Sequence, residues 1–293
     1  MNLVSTVRRS CPRLLKVNFN GSTTTPKPLQ QIRAGFTLHS IGNCLLFRPT
    51  LPQSQSITTT PIMASTQSSS LTSALSSNSN PTSTAVTFTD PITHAILSGA
   101  SSEILEEKLS TSWRTIIEVA SKTEHQSQEP LIEVLKAVQQ QQFSNEERSK
   151  TITIWGSQVK LWEDMPLLGA SLRSAWNRAP NSGSKDDFST TEWTNLNAFV
   201  ARLTALSLSL SIPAFDFSLY AIWTMRSAFE TGEANIAAVE AAKLWFLYAG
   251  DAIEQLSRDG KSFEGPIAKA GEKYADREWT GFSEERLTVW KAG

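Results

Sequence analysis

The distribution of acidic residues divides this chain into two parts that cannot form the same kind of structure. The first acid is Asp90, so residues 1–89 carry none, and all nine tryptophans also lie beyond residue 90. Residues 90–293 hold all 28 acids and 20 of the 27 basic residues, which gives this part a formal charge of −8. We therefore expect a basic leader, residues 1–89, followed by an acidic and aromatic-rich domain, residues 90–293.

The leader itself contains two kinds of segment. Residues 1–17 are rich in arginine and free of acid, which is typical of a mitochondrial transit peptide, although Pro12 would interrupt a long helix there. In residues 51–89, 20 of 39 residues are Ser or Thr and none is charged. Such a tract has too little apolar surface to offset the entropy lost on ordering, so we expect the leader to be disordered.

Two interpretations of the leader remain open. If residues 1–50 are translated and act as a transit peptide, the protein is mitochondrial. Alternatively, translation starts at Met63, which opens the ordinary-looking sequence MASTQSSS, and the protein is cytoplasmic.

The periodicity of apolar residues in the domain is helical. Asp90-Pro91 resembles the N-cap and first turn of a short segment. Helices are predicted at residues 102–121, from Pro130 to about 139, from Asp164 or Pro166 to 176, from 190 to about 210, at 216–230, at 235–257 and from Ser283. Ile152 and Ile154 alternate with threonine and could form a strand. Residues 206–212 also alternate apolar residues with serine, but a helix to about Leu210 is favoured there because no partner strand is evident elsewhere. The predicted fold class is all-α, a single irregular bundle of about seven helices.

Composition excludes several classes of function. A domain of charge −8 lacks the positive surface that nucleic acid binding requires. Charges interrupt the most apolar helix, 235–257, so no membrane span is predicted. Both cysteines, Cys11 and Cys44, lie in the leader, and the domain holds two histidines, His94 and His125. We therefore expect no metal site and no cofactor.

Arg226 is the residue that points most directly to a site. The predicted helix 216–230 has an apolar stripe, and Arg226 falls near its middle; the stripe is formed by Leu219, Ile222, Trp223 and Phe229. An arginine stays protonated and is costly to bury alone, so Arg226 should meet a carboxylate or reach a cavity. Glu230, one turn later, is the nearest candidate, and Glu163 and Asp164 are the distant ones.

Two interpretations of Arg226 follow. In the first, Arg226 and one of these acids form a buried ion pair that fixes the register of the helices. In the second, Arg226 joins Arg202 and Asn197 in a pocket lined by aromatic side chains, with Trp223 and Trp162 as the candidate lining residues. That pocket would bind an anionic or carbonyl-bearing small molecule.

Several separated segments of the domain resemble a fungal family of unknown function, DUF3632. They are Trp162–Gly169, Trp176-Asn177, Trp193–Leu203, Ile222–Glu230 and Gly281–Lys291. The resemblance extends over residues 90–293. The family includes the G protein of fungal oxopyrrolidine biosynthesis clusters, so the resemblance implies a setting in secondary metabolism. Because no catalytic residues are established for the family, the resemblance implies none here.

Two functions are compatible with these observations. The first is an interaction or scaffold protein that binds a protein partner, since the domain shows no recognisable nucleophile or cofactor loop. The second is a cofactor-independent enzyme or a carrier of an apolar, anionic metabolite. In that case Arg226 would hold the anion, and Glu163 or Asp164 would serve as a base.

Overall fold

Helices make up most of the structure of this chain. The computed structural model describes residues 60–76, 79–141, 151–233 and 235–293, all within one packing unit, Gln55–Gly293. These ranges contain one β-hairpin and nine α-helices: α1 (Thr60–Ser76), α2 (Pro81–Leu97), α3 (Ser102–Lys122), α4 (Glu129–Gln139), α5 (Leu168–Trp176), α6 (Thr190–Ser209), α7 (Ser218–Phe229), α8 (Ile236–Arg258) and α9 (Glu284–Ala292). The predicted all-α class is confirmed.

The seven helices predicted from periodicity correspond to α3–α9. Their ends follow local capping chemistry. The Ser189 hydroxyl accepts the backbone N–H of Glu192 at 3.2 Å, and the Glu192 carboxylate accepts the N–H of Ser189 at 2.9 Å, a capping box that starts α6. Asn235 caps α8 by accepting the N–H of Ala238.

The prediction of disorder for residues 51–89 is wrong from Thr60 onward. Helix α1 and the first half of α2 occupy this tract, and the boundary predicted at residue 90 lies inside α2. Asp90-Pro91 therefore opens no helix. Instead Asn80 caps α2 by accepting the N–H of Thr82. The predicted transit peptide, residues 1–17, and both cysteines lie outside the described residues.

The Ser/Thr-rich helices are ordered by tertiary packing. Leu71 and Phe88 are completely buried, and α1 and α2 pack on α3 and α4. The amide nitrogen of buried Gln67 donates to the carbonyl of Phe88 and to the hydroxyl of Ser112, both at 2.7 Å. The burial of a few apolar side chains and the hydrogen bonds of one buried amide thus stabilise these helices, although the tract contains few apolar residues.

The hairpin is formed by β1 (Thr151–Ile154) and β2 (Ser157–Lys160). The strands are antiparallel and pair Ile152 with Val159, so the strand that the alternation at Ile152 and Ile154 suggested is confirmed. The two turn residues, Trp155 and Gly156, have φ of 49° and 77°, as a two-residue hairpin turn requires. The Trp155 side chain is 65% exposed at the tip.

The C-terminal segment positions the residues discussed below. Helix α8 packs along α6 and α7, and α3 packs on α6. After α8 the chain returns past α7 in two short 3₁₀ turns, Gly265–Ala268 and Glu272–Tyr274, and ends in α9, which contacts α7 and α8. None of the helices in the described ranges has the length and apolar character of a membrane span.

Candidate functional site

A buried ion pair joins the end of α7 to α9. Glu230 and Arg286 are both completely buried, and the Arg286 Nε and Nη2 atoms lie 2.8 and 3.0 Å from the two Glu230 carboxylate oxygens. The other Arg286 N–H groups donate to the carbonyls of Ala268, Gly281 and Lys269. All five donors of the guanidinium are therefore satisfied, which offsets the cost of removing its charge from water.

The Glu230 carboxylate is equally well satisfied. Besides Arg286, its two oxygens accept the indole N–H of Trp290 and the backbone N–H of Gly271, both at 2.7 Å. A Cβ atom added at Gly271 would lie 2.5 Å from the Glu230 carbonyl oxygen. The chain can therefore approach Glu230 this closely only because residue 271 is a glycine.

Glu230 is predicted from the sequence to join a buried ion pair with Arg226, but its partner in the structure is Arg286. Arg226 lies on the partly exposed side of α7. Its Nη1 atom donates to the carbonyl of Lys269 at 3.2 Å and lies 3.5 Å from the carbonyl of Ile267. The Trp223 indole N–H donates to that same Ile267 carbonyl at 2.8 Å. Trp223 and Arg226 therefore lie close together, and both bind α7 to the segment 267–269 that follows α8.

Asn197 lies in the core. Its side-chain oxygen accepts the hydroxyl of Thr224 at 2.9 Å and the indole N–H of Trp245 at 2.8 Å, while its amide donates to the Trp193 carbonyl. These bonds join α6, α7 and α8 at a completely buried point. The functional groups of Asn197 are occupied by the protein itself, which indicates a structural role.

Arg202 belongs to a different cluster, on the face where α6 and α8 meet the chain before α4. Its guanidinium pairs with Glu129 at 2.7 Å, donates to the His125 carbonyl and stacks 3.8 Å from the centre of the Tyr248 ring. The Tyr248 hydroxyl lies 2.7 Å from Nδ1 of His125. An imidazole, a phenol and a guanidinium thus meet at a partly exposed position, next to the kink of α8 at Ala249.

The segment that follows the hairpin separates the other three predicted residues. Trp162 is buried. Glu163 is exposed and pairs with Lys160 at 2.8 Å, and Asp164 accepts the backbone N–H of Lys160 at 2.7 Å. The two acids therefore stabilise the base of the hairpin.

An aromatic ladder leads from the core to the surface near Arg226. The Trp176 ring contacts Trp193 and Tyr220 with centroid distances of 4.8 and 4.6 Å, and Tyr220 contacts Trp223 at 5.0 Å. The Arg173 guanidinium covers the outer ring, 4.3 Å from the centre of Trp223. Burial raises the pKa of Tyr220 to about 12, although the charge of Arg173 opposes the shift.

A shallow depression of about 430 Å³ lies between α3 and the loop before α6, and charged side chains line it: Glu118, Lys122, Arg178, Asp186, Asp187 and Glu192. The Asp187 carboxylate accepts hydrogen bonds within this loop, and the Glu192 carboxylate accepts the N–H of Ser189 at the start of α6. Hydrogen bonds from Ser182 and from the N–H groups of Gly183 and Ser184 lower the Asp187 pKa. No group of three or more metal-binding side chains occurs in the described ranges.

Sequence reasoning missed Arg286, although a signal was present. Phe282, Arg286 and Trp290 follow one another at four-residue steps, so Arg286 occupies the middle of an apolar stripe just as Arg226 was expected to do. The rings of Phe282 and Trp290 lie 5.9 Å apart. His125 and Tyr248 left no comparable signal, because 123 residues separate them.

Comparison with known proteins gives one result that bears on these segments. The DUF3632 family, described as a protein of unknown function, matches residues 113–293. No curated protein and no solved structure matches the chain. The matched region begins within α3 and contains both members of the buried ion pair. Because the match covers more than half of the chain, this protein belongs to the DUF3632 family.

Proposed function

We propose that this chain is an interaction or scaffold protein, and that it serves secondary-metabolite formation. One observation carries the first part. In the segments that resemble the family, the buried polar side chains form hydrogen bonds to other groups of this protein. Glu230, Arg286 and Asn197 are completely buried, and their hydrogen-bonding groups are bound by the protein itself. Groups used in this way hold helices together and are not available to a substrate.

The second part rests on the resemblance to a family that includes an oxopyrrolidine-cluster protein. A role beside a pathway is compatible with a domain that works by binding its partners. In such a role the protein would alter metabolite levels without converting a metabolite itself.

Metabolite analysis tests both the interaction role and the pathway role. The secondary metabolites of a deletion strain and of its complemented strain are compared by mass spectrometry, and the purified full chain is then incubated with an extract of the deletion strain. We expect deletion to change secondary metabolites, the gene to restore them, and the purified chain to leave the masses in the extract unchanged. Conversion of an accumulated compound by the purified chain would contradict the interaction role. An unchanged profile after deletion would remove the pathway role.

The alternative function, an enzyme or a carrier, is supported by the cluster of His125, Tyr248 and Arg202 and not by the residues around Arg226. Glu163 and Asp164 both bind Lys160 at the base of the hairpin, whereas Arg226 binds the carbonyl of Lys269. The His125–Tyr248 contact at 2.7 Å, with Arg202 over the phenol ring, offers groups that could transfer a proton. If the extract assay shows conversion, Tyr248→Phe should abolish it while Glu163→Gln leaves it unchanged.

A further inference from the structure

The surface around Trp223 carries three cations on a domain that is otherwise acidic. We call it the cationic face and define it by Arg173, Trp223, Arg226, Ile267 and Lys269. Arg173 and Arg226 are partly exposed, Lys269 is exposed and Ile267 is 45% exposed. Residues 90–293 have a formal charge of −8, so a cluster of cations here runs against the overall charge of the domain.

Arg173 is held in place, yet its hydrogen-bonding capacity is unused. Its guanidinium stacks 4.3 Å from the centre of the Trp223 ring. Within the described ranges it forms no hydrogen bond and no ion pair. Stacking fixes the plane of a guanidinium but leaves its N–H groups directed outward, where they can bind a carboxylate with two parallel bonds.

The support beneath Arg173 is rigid. Trp223 is fixed by its bond to the Ile267 carbonyl and by its contact with Tyr220, whose hydroxyl donates to the Gly169 carbonyl at the start of α5. Helix α5, which carries Arg173, and helix α7, which carries Trp223, are thereby joined. A receptor group that is already ordered loses little entropy when a ligand binds.

The structure also favours one kind of ligand. Pockets for small molecules are concave, whereas Ile267 and Lys269 stand exposed on a 3₁₀ turn and just after it. A nucleic acid would meet the negative charge of the surrounding domain. A short peptide segment with carboxylates fits the cations and can also cover the exposed Ile267 side chain.

We propose that the cationic face is a docking surface for an acidic, carboxylate-rich segment of a partner protein, with Arg173 as its principal carboxylate receptor. This inference rests on the proposed interaction function and names the chemistry of the partner.

Peptide selection provides the test. A library of random peptides displayed on phage is selected on the full chain, and the affinities of the recovered peptides are measured for the chain and for Arg173→Gln. We expect enrichment in Asp and Glu and binding about tenfold weaker to Arg173→Gln, the loss of about one charge-assisted bond. Arg173→Lys, which keeps the charge but loses the planar fork, should weaken binding less.

Two controls accompany this test. Lys185→Gln removes an exposed charge from the loop before α6 and should leave affinity unchanged. Because Arg173 makes one ring contact, Arg173→Gln should unfold cooperatively at nearly the same denaturant concentration as the unmodified chain, so lost binding would not reflect lost folding.

Three results would overturn the inference: recovered peptides without acidic enrichment, acidic peptides that bind Arg173→Gln as well as the unmodified chain, or no recovered peptides. Peptides that bind elsewhere would leave the interaction function standing, since the extract assay tests that function separately.

Discussion

Glu230 and Arg286 lie 56 residues apart in the sequence and form a pair that is completely buried, with both carboxylate oxygens facing the guanidinium. The pair connects two family-like segments, Ile222–Glu230 and Gly281–Lys291. Two of the segments that resemble the family are therefore joined by one ion pair, which holds the end of α7 against α9.

Removing one partner of this pair should be severely destabilising. Arg286→Met leaves the Glu230 charge buried among groups that no longer neutralise it, and we expect a loss of about 3–5 kcal/mol in the free energy of unfolding. Chemical denaturation measures this change. The matched control is Glu254→Gln, which breaks the half-exposed pair with Lys291 and should cost less than about 1 kcal/mol. Equal losses in the two variants would contradict the assigned role.

The close approach of Gly271 to Glu230 gives a second prediction. Gly271→Ala places a Cβ atom 2.5 Å from a backbone oxygen, so the chain must shift and we expect a loss of about 1–3 kcal/mol. Gly250→Ala is the control, since a Cβ atom there meets nothing within 4 Å and the residue lies inside α8. We expect that change to be neutral or stabilising by up to about 1 kcal/mol. Thermal and chemical unfolding compare the two.

The Ser/Thr-rich helix α1 should contribute to stability despite its composition. Leu71 is completely buried while its neighbour Thr72 is exposed. Leu71→Ala should therefore cost about 2–5 kcal/mol, and Thr72→Ala should change stability by less than about 0.5 kcal/mol. If both variants unfold like the unmodified chain, then α1 does not pack on α3 as described.

Asp216 should make stability depend on pH in the acidic range. Burial raises its pKa, but hydrogen bonds from Lys261 and Ser218 outweigh this and leave the pKa lowered. A lowered pKa means stability that is present above the ordinary aspartate value and is lost as pH falls through the folded-state pKa. We expect Asp216→Asn to cost about 1 kcal/mol at pH 7.

Thermal unfolding of both chains from pH 7 to pH 3 measures this effect. The unmodified chain should lose its advantage over Asp216→Asn as Asp216 becomes protonated. A difference between the two chains that stays constant across this range would contradict the assignment of the effect to the Asp216 charge.

Much of the fold can be predicted from local sequence, because helices α3–α9 each carry an apolar face with helical spacing. Helices α1 and α2 escaped prediction because a few buried side chains, such as Leu71 and Phe88, order a tract whose average composition is that of a disordered segment. Strand β2 was missed because Trp155 adopts a positive φ, which is uncommon for a bulky residue.

The site was harder to predict than the fold. Spacing on one helix can show that an arginine is placed among apolar residues, as it could have shown for Arg286, but it cannot show which carboxylate returns to meet it. Arg226 illustrates the opposite error. Its stripe is covered by the returning chain near Ile267 and Lys269, so its guanidinium reaches backbone carbonyls at a partly exposed position.

A double-mutant cycle on Glu230 and Arg286 tests the central claim most directly. The free energy of unfolding is measured for the unmodified chain, Glu230→Gln, Arg286→Met and the double variant. We predict that the double variant is more stable than the sum of the single losses implies, with a coupling of at least about 2 kcal/mol. A coupling below about 0.5 kcal/mol would show that the two residues do not depend on one another and would contradict the account.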